Sequence, residues 1–378
     1  MKIKLPFLSA ALLFLTLAGK AQTAESYYNE GVKLKEEKQI KPALEKFRKA
    51  IELNPGYSAA HYEMGWCLND GGDYVSAIIS LRKARIGWAH IPKVYFELGY
   101  AFQKTDRKDS ALAMYRRCLE LKPDYSGVFK QMGYMDYDEE DYTGALAQFA
   151  KYEANVKTEI KDYLYWYRKG FCMNATKDYT GAMTALNKSA GLKADYLNTW
   201  LELGFACTRL KKDADAIYYY EKAIAVDPKS HVGYNGIGEV YRDLKKDYEQ
   251  SMIWYYKALG VKPNERKALF GIGYCLNAQR KYNEAIPKLE KAIEMENTYT
   301  AAYVELGYSF YSTGQYDKAI PMLEKALSLN PKNENARYYA VLVYVKQKNK
   351  AAAQKQVNEL KALSSRYVDE LQRKVDGI

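Results

Sequence analysis

The sequence has little of what catalytic and metal-binding proteins depend on. It contains three histidines, His61, His90 and His231, which are far apart along the chain. Its five cysteines never form a Cys-x-x-Cys pair. The phosphate-binding, zinc-protease and serine-nucleophile patterns GxxxxGK[ST], HExxH and GxSxG do not occur. We therefore predict no enzyme activity, no cofactor and no metal site.

Long apolar runs are also missing, except at the N-terminus. Residues 5–18 are apolar, Lys2 and Lys4 precede them, and the small residues Gly19 and Ala21 follow. This pattern is typical of a secretory signal peptide over residues 1–21, and the alternative is an uncleaved membrane anchor. We expect export to the periplasm, or secretion as the alternative, with no transmembrane span after signal removal.

The excess of positive charge is modest for a chain of this length. The sequence has 57 Lys and Arg residues and 46 Asp and Glu residues, a formal net charge of +11. Three of the bases lie in the predicted signal peptide, which leaves 54 bases against 46 acids, or +8. An excess of this size is not by itself a signature of nucleic-acid binding.

What the sequence does have is a glycine that recurs in steps of 34 residues, with one step of 37 and one of 35. A small residue follows each glycine twelve positions later, or thirteen in one case. Two linked patterns of this kind indicate an internal repeat. We call these nine residues the comb glycines: Gly31, Gly65, Gly99, Gly133, Gly170, Gly204, Gly238, Gly273 and Gly307.

Each repeat has the apolar spacing of two amphipathic helices. In the sixth repeat, Leu203 and Cys207 follow Trp200 at helical spacing, and a second stripe begins at Ala216. Pro228 ends the unit, because proline cannot continue a helix interior. The pattern predicts an antiparallel helix pair in every repeat, with the comb glycine at the crossing of the two helices.

The residue types at these recurring positions resemble those of the tetratricopeptide repeat family. The ninth repeat carries them as Tyr303, Leu306-Gly307, Phe310 and Ala319, closed by Pro331. The resemblance implies an all-α, right-handed superhelical solenoid of antiparallel helix pairs, and the signal peptide resembles those of exported Bacteroidetes proteins. We predict a signal peptide (1–21), repeats 1–4 (24–159), an insertion and possible kink (160–162), repeats 5–9 (163–333), a degenerate tenth repeat (334–363) and a capping helix with a tail (364–378).

An aromatic residue follows the comb glycine in most repeats. In the family that the chain resembles, this face lines a concave groove, and exposed aromatic rings are typical of recognition surfaces. The alternative is that the rings stack between adjacent helices and are mostly buried. We call these seven predicted partner-binding residues the aromatic row: Trp66, Tyr100, Tyr134, Phe171, Phe205, Tyr274 and Tyr308.

The sequence thus favours a non-enzymatic adaptor that binds a peptide segment or a partner protein in this groove. Acidic and basic residues alternate along the same face, which argues against a nucleic-acid channel, since such channels are predominantly basic. Two alternatives remain open. One is a structural envelope scaffold or homo-oligomer that acts through its ends or convex face, and the other is a polysaccharide-binding module, because sugar rings also stack on aromatic side chains.

Overall fold

The computed structural model describes residues 22–378, so the predicted signal peptide lies outside the described residues. Within that range the chain forms 21 α-helices and no strand, which confirms the predicted all-α fold of paired helices. The chain divides into two compact units between Glu159 and Ile160. None of the helices of residues 22–378 is both long and apolar enough to cross a bilayer.

The first unit contains four helix pairs, one in each of repeats 1–4. A 13-residue helix, which we call helix A, precedes a 14-residue helix B in every pair. The pairs are α1 (Ala24–Glu36) with α2 (Ile40–Leu53), α3 (Ser58–Asp70) with α4 (Tyr74–Gly87), α5 (Pro92–Lys104) with α6 (Lys108–Leu121), and α7 (Ser126–Asp138) with α8 (Tyr142–Asn155).

The second unit continues with five pairs in repeats 5–9, and three further helices follow. The pairs are α9 (Tyr163–Ala175) with α10 (Tyr179–Leu192), α11 (Leu197–Arg209) with α12 (Asp213–Val226), α13 (His231–Val240) with α14 (Tyr248–Val261), α15 (Arg266–Ala278) with α16 (Tyr282–Met295), and α17 (Thr300–Ser312) with α18 (Tyr316–Leu329). The remaining helices are α19 (Glu334–Lys346), α20 (Lys350–Ala362) and α21 (Val368–Asp376).

The last helix, α21, begins four residues later than the sequence pattern suggests. Ser364 adopts a left-handed conformation, with φ 54°, immediately after α20. A turn therefore separates the two helices, and α21 starts at Val368. Its apolar side is nevertheless buried as an amphipathic cap requires, because Leu371 and Val375 are inaccessible to solvent and pack against Val341 and Leu360.

The seventh repeat accommodates its extra residue in an unusual way. Its helix A does not end in a longer loop but continues as one π-helical turn over Tyr241–Lys245. Lys246 then turns the chain with φ 56°, as a single left-handed residue does in most other repeats. A π-helical turn inserts a residue without breaking the helix. Helix B of this repeat consequently keeps its place beside helix A.

The comb glycines set the distance between helices A and B. A β-carbon added to Gly65 would lie 2.5 Å from Leu81 Cγ, and one added to Gly99 would lie 2.5 Å from Tyr115 Cε1. Both partners are fully buried side chains of helix B in the same repeat. Each comb glycine therefore provides room for a large residue of helix B sixteen positions later, or seventeen in the seventh repeat, and the two helices pack closely.

Candidate partner-binding face

All seven residues of the aromatic row lie on A helices, one position after a comb glycine, and none is fully buried. Six are half-buried, and Phe205 is the most open at 41% exposure. The row therefore reaches the surface formed by the A helices, which we call the groove face. Whether these rings bind a partner stays a prediction.

Several rings of the row also pack on tyrosines of the preceding repeat. The first residue of helix B in one repeat meets the row residue of the next, edge to face. Tyr74 and Tyr100 have ring centroids 6.1 Å apart at 77°, and Tyr282 and Tyr308 are 5.5 Å apart at 84°. Such contacts hold a ring in one orientation while one of its faces stays accessible. The rings are thus both packed and partly exposed, which combines the two interpretations that the sequence leaves open.

A buried asparagine lies beside the row at three junctions between repeats. Asn69 Nδ2 donates to the Glu97 backbone oxygen at 3.1 Å and to Glu97 Oε2 at 2.8 Å. The next repeat thus supplies both acceptors. The same two bonds join Asn174 to Glu202 (3.1 and 2.8 Å) and Asn277 to Glu305 (3.0 and 2.9 Å). We call these three arrangements the Asn–Glu pairs.

The three glutamates of the Asn–Glu pairs carry a poorly compensated negative charge. Burial raises the pKa of Glu97 above its usual range, although the hydrogen bond from Asn69 lowers it. Burial likewise raises the pKa of Glu202 and of Glu305. No lysine or arginine of residues 22–378 forms an ion pair with any of the three carboxylates. An asparagine satisfies one oxygen but brings no positive charge.

Cavities open on the groove face beside two of the pairs. The first has a volume of about 330 Å³ and is lined by Trp66, Asn69, Asp70, Tyr74, Phe96, Glu97, Tyr100 and Gln131. The second has a volume of about 390 Å³ and is lined by Phe171, Asn174, Ala175, Lys177, Tyr179, Glu202, Phe205 and Arg209. In both, two rings of the row and the carboxylate of an Asn–Glu pair surround the same space.

The junction between the first two repeats is built differently. Lys35 stands where the three Asn–Glu pairs have asparagine, and its Nζ forms a 2.5 Å ion pair with Glu63 Oε2. The same Nζ lies 4.9 Å from the centroid of the Trp66 ring. Glu63 and Trp66 occupy the positions that Glu97 and Tyr100 occupy one repeat later. Here a cation of the chain itself sits on the carboxylate and the ring.

Comparison of adjacent repeats misses the Asn–Glu pairs, because they recur only every third repeat. Repeats 2, 5 and 8 share the pattern Gly-aromatic-Cys-x-Asn, and the repeat after each carries Glu-Leu-Gly-aromatic. The asparagine and its glutamate are 28 residues apart in all three cases. Comparing each repeat with the third one along would have revealed them.

Sequence models described as tetratricopeptide repeat match most of the chain. The matched segments are residues 20–57, 46–79, 92–125, 197–230, 233–265, 267–299 and 310–373.

Curated relatives include subunit 3 of the anaphase-promoting complex from Schizosaccharomyces pombe, which is 26% identical over 54% of this chain and 32% of its own length. Superkiller complex protein 3 of Mus musculus is 22% identical over 68% of this chain and 14% of its own length. The chain thus spans about a third, or less, of the length of these relatives.

Solved structures are similar in fold. The C-terminal part of a TPR repeat-containing protein from Cytophaga hutchinsonii aligns with a TM-score of 0.50 and 18% identity, over 65% of this chain and 99% of that one. PilW, a widely conserved type IV pilus biogenesis factor, aligns with a TM-score of 0.51 and 18% identity, over 56% of this chain and 98% of its own. These similarities concern the helix-pair fold alone.

Proposed function

This chain belongs to the tetratricopeptide repeat family, and we propose that it is a non-enzymatic adaptor of the cell envelope that holds a peptide segment or a partner protein on its groove face. The observation that carries the proposal is the aromatic row, whose rings are oriented by neighbouring tyrosines and border cavities between successive A helices. Rigid, partly exposed rings around an indentation supply contact area at little cost in conformational entropy.

The assignment to the envelope rests on the signal-like pattern of residues 1–21. Export followed by signal removal leaves a mature chain that starts at Gln22. Cell fractionation with N-terminal sequencing of the recovered protein tests this assignment. A periplasmic protein that begins at Gln22 agrees with it, and a cytoplasmic protein that retains Met1 contradicts it.

Partner capture from envelope extract tests the role of the groove face. The double variant Trp66→Ala/Tyr100→Ala removes two rings of the row from the first cavity. We expect it to lose captured protein while its helical circular dichroism stays unchanged. The matched control is Tyr218→Ala/Tyr256→Ala, because these tyrosines are half-exposed on B helices, away from the groove face. Equal losses in both variants would contradict the proposal, and retention of polysaccharide instead of protein would favour the sugar-binding alternative.

The outer face of α4 supports a second candidate function, that of a scaffold acting through its convex side. Val75, Ile79 and Ile86 are 60%, 57% and 84% exposed and lie on one side of this helix B. An exposed apolar stripe of this kind is suited to self-association. If this stripe is the functional surface, Ile79→Glu/Ile86→Glu changes the oligomeric state measured by light scattering, and truncation of residues 334–378 changes it if the end of the chain is used.

A further inference from the structure

The junction between repeats 1 and 2 shows what the groove face can bind. Lys35 Nζ is held by the carboxylate of Glu63 and by the face of the Trp66 ring. A carboxylate and an aromatic ring together form a favourable site for an ammonium or guanidinium group. The seventh repeat repeats part of this arrangement, because Arg242 lies 5.4 Å from the ring centroid of Tyr274 in the row. Lys104 also lies 5.5 Å from the ring centroid of Tyr100, so basic side chains of the protein lie over three row residues, but among the three only Lys35 also forms an ion pair with the glutamate of its junction.

The junction between repeats 2 and 3 has the same site, but no lysine or arginine of residues 22–378 forms an ion pair with its glutamate. Glu97 and Tyr100 stand where Glu63 and Trp66 stand, but Asn69 replaces the lysine. Asn69 is 5% exposed, and its amide binds one carboxylate oxygen without neutralising it. The cavity of about 330 Å³ beside Glu97 also contains Asp70 and has no basic residue in its lining. This junction combines negative charge, aromatic walls and accessible space.

The basic residues near the first cavity lie over aromatic rings and do not pair with the carboxylate. Lys93 lies 4.2 Å from the ring centroid of Tyr62, and Lys104 lies 5.5 Å from that of Tyr100. Neither forms an ion pair with Glu97. At the second cavity, Lys177 and Arg209 are exposed on the rim. Arg209 Nε donates to the Tyr179 hydroxyl at 3.3 Å, and neither Arg209 nor Lys177 forms an ion pair with Glu202.

Another cavity on the groove face of the second unit is also rich in carboxylates. It has a volume of about 460 Å³, and Glu202, Glu239 and Glu265 contribute to its lining together with Lys267 and His231. Glu239 occupies the position that an aromatic residue occupies in the other repeats of the row. Carboxylates thus line this cavity as well as the cavity beside Glu97, although the chain as a whole is basic.

We propose that the Asn–Glu pairs, each with its row aromatic, are sites for lysine or arginine side chains of a basic partner segment. This inference rests on the proposed adaptor function and specifies the chemistry of its partner. Lys35 on Glu63 and Trp66 is the internal counterpart of such a contact. A partner that presents a carboxylate here meets a buried like charge and is rejected.

Peptides of equal length and simple composition provide the test. Oligolysine, oligoarginine, oligoglutamate and a glycine–serine peptide are titrated into the full mature chain by calorimetry at low and at physiological ionic strength. We expect the two basic peptides to bind and the other two not to bind. The mature chain carries a net charge of +8, so its overall electrostatic field repels basic peptides. Binding of a basic peptide therefore indicates local acidic sites. Oligoglutamate binding as tight as oligolysine binding overturns the proposal.

Variants at equivalent positions then locate the sites. The triple variant Glu97→Gln/Glu202→Gln/Glu305→Gln keeps an acceptor for each asparagine but removes three charges. We expect its affinity for oligolysine to fall by about tenfold or more, which corresponds to about 1.4 kcal/mol. The matched control is Glu63→Gln, which removes the same charge where Lys35 already occupies the site and therefore leaves the affinity within about twofold. Unchanged affinity in the triple variant overturns the proposal.

Exchanging the residue that distinguishes the two junctions sharpens the test. Asn69→Lys places an internal cation where Glu97 is now available, and it should block binding at that cavity. Lys35→Asn creates a further Asn–Glu pair and should increase the amount of oligolysine bound. If Trp66→Ala/Tyr100→Ala loses its natural partner while oligolysine never binds, the adaptor function stands and the basic-partner inference fails.

Discussion

The first two junctions of the first unit differ chiefly at one residue of the site. Both present a glutamate and an aromatic ring at equivalent positions on successive A helices, but Lys35 supplies a cation at one and Asn69 supplies an amide at the other. The lysine completes a charge pair within the chain. The asparagine fixes its glutamate in place and leaves the charge for another group. One substitution therefore separates a structural contact from a candidate binding site.

The largest difference in stability that we expect between repeats 2 and 3 concerns the space beside their comb glycines, Gly65 and Gly99. Gly99→Ala brings a β-carbon against the Tyr115 ring, which is fully buried and whose hydroxyl donates to Gln103 at 2.7 Å. Gly65→Ala meets Leu81 Cγ; Leu81 is also fully buried, but its aliphatic side chain is smaller than the Tyr115 ring and can change rotamer. We expect Gly99→Ala to lower the free energy of unfolding by about 2–3 kcal/mol and Gly65→Ala by about 1 kcal/mol or less, because overpacking costs more against a rigid ring. Urea denaturation measures both, and equal losses contradict the packing described here.

A smaller effect on stability is expected from a hydrogen bond that one of the Asn–Glu pairs has and another lacks. Ser309 Oγ donates to Asn277 Oδ1 at 2.7 Å, whereas Asn69 Oδ1 is buried without a partner and Ala101 stands at the equivalent of Ser309. We expect Ala101→Ser to raise the free energy of unfolding by about 1 kcal/mol and Ser309→Ala to lower it by a similar amount. Thermal melts of both variants check this. A destabilising Ala101→Ser would show that the amide has another orientation.

The smallest expected effect is a dependence of stability on pH. Burial raises the pKa of Glu97 in the folded protein, with a contribution from Glu63, while Asn69 and Lys93 lower it. Glu97 therefore takes up its proton at a higher pH in the folded protein than in the unfolded chain, where glutamates have a pKa of about 4.3. The free energy of unfolding therefore increases as the pH falls from neutrality through the raised pKa of Glu97.

The variant Glu97→Gln isolates this effect, because other groups titrate alike in both proteins. Its stability advantage over the unsubstituted chain should shrink steadily between neutral pH and about pH 4. Denaturation series at several pH values measure the difference. An advantage that does not change with pH would show that Glu97 titrates in the ordinary range.

The sequence predicts the helix pairs well, because the comb glycine of helix A and the small residue of helix B recur once in every repeat and mark the contact between the two helices. It cannot predict how far the row is exposed, since exposure depends on tyrosines such as Tyr74 that pack across a junction. The Asn–Glu pairs are harder still. Asn69 in isolation resembles any helix-end asparagine, and its role is defined only when packing brings Glu97 against its amide. The π-helical turn of Tyr241–Lys245 leaves no signal beyond a repeat one residue longer.

The same substitution at the two equivalent glutamates tests the central claim most directly. Glu63→Gln removes the partner of Lys35 and should lower the free energy of unfolding by about 1 kcal/mol at neutral pH. Glu97→Gln removes a buried charge that has no cation, keeps an acceptor for Asn69, and should leave stability unchanged or raise it by about 1 kcal/mol. Paired denaturation curves of the two variants give the answer. If the free energy of unfolding falls for Glu63→Gln and stays or rises for Glu97→Gln, the site at Glu63 is filled by Lys35 and the site at Glu97 is available. Equal losses in both variants contradict the account.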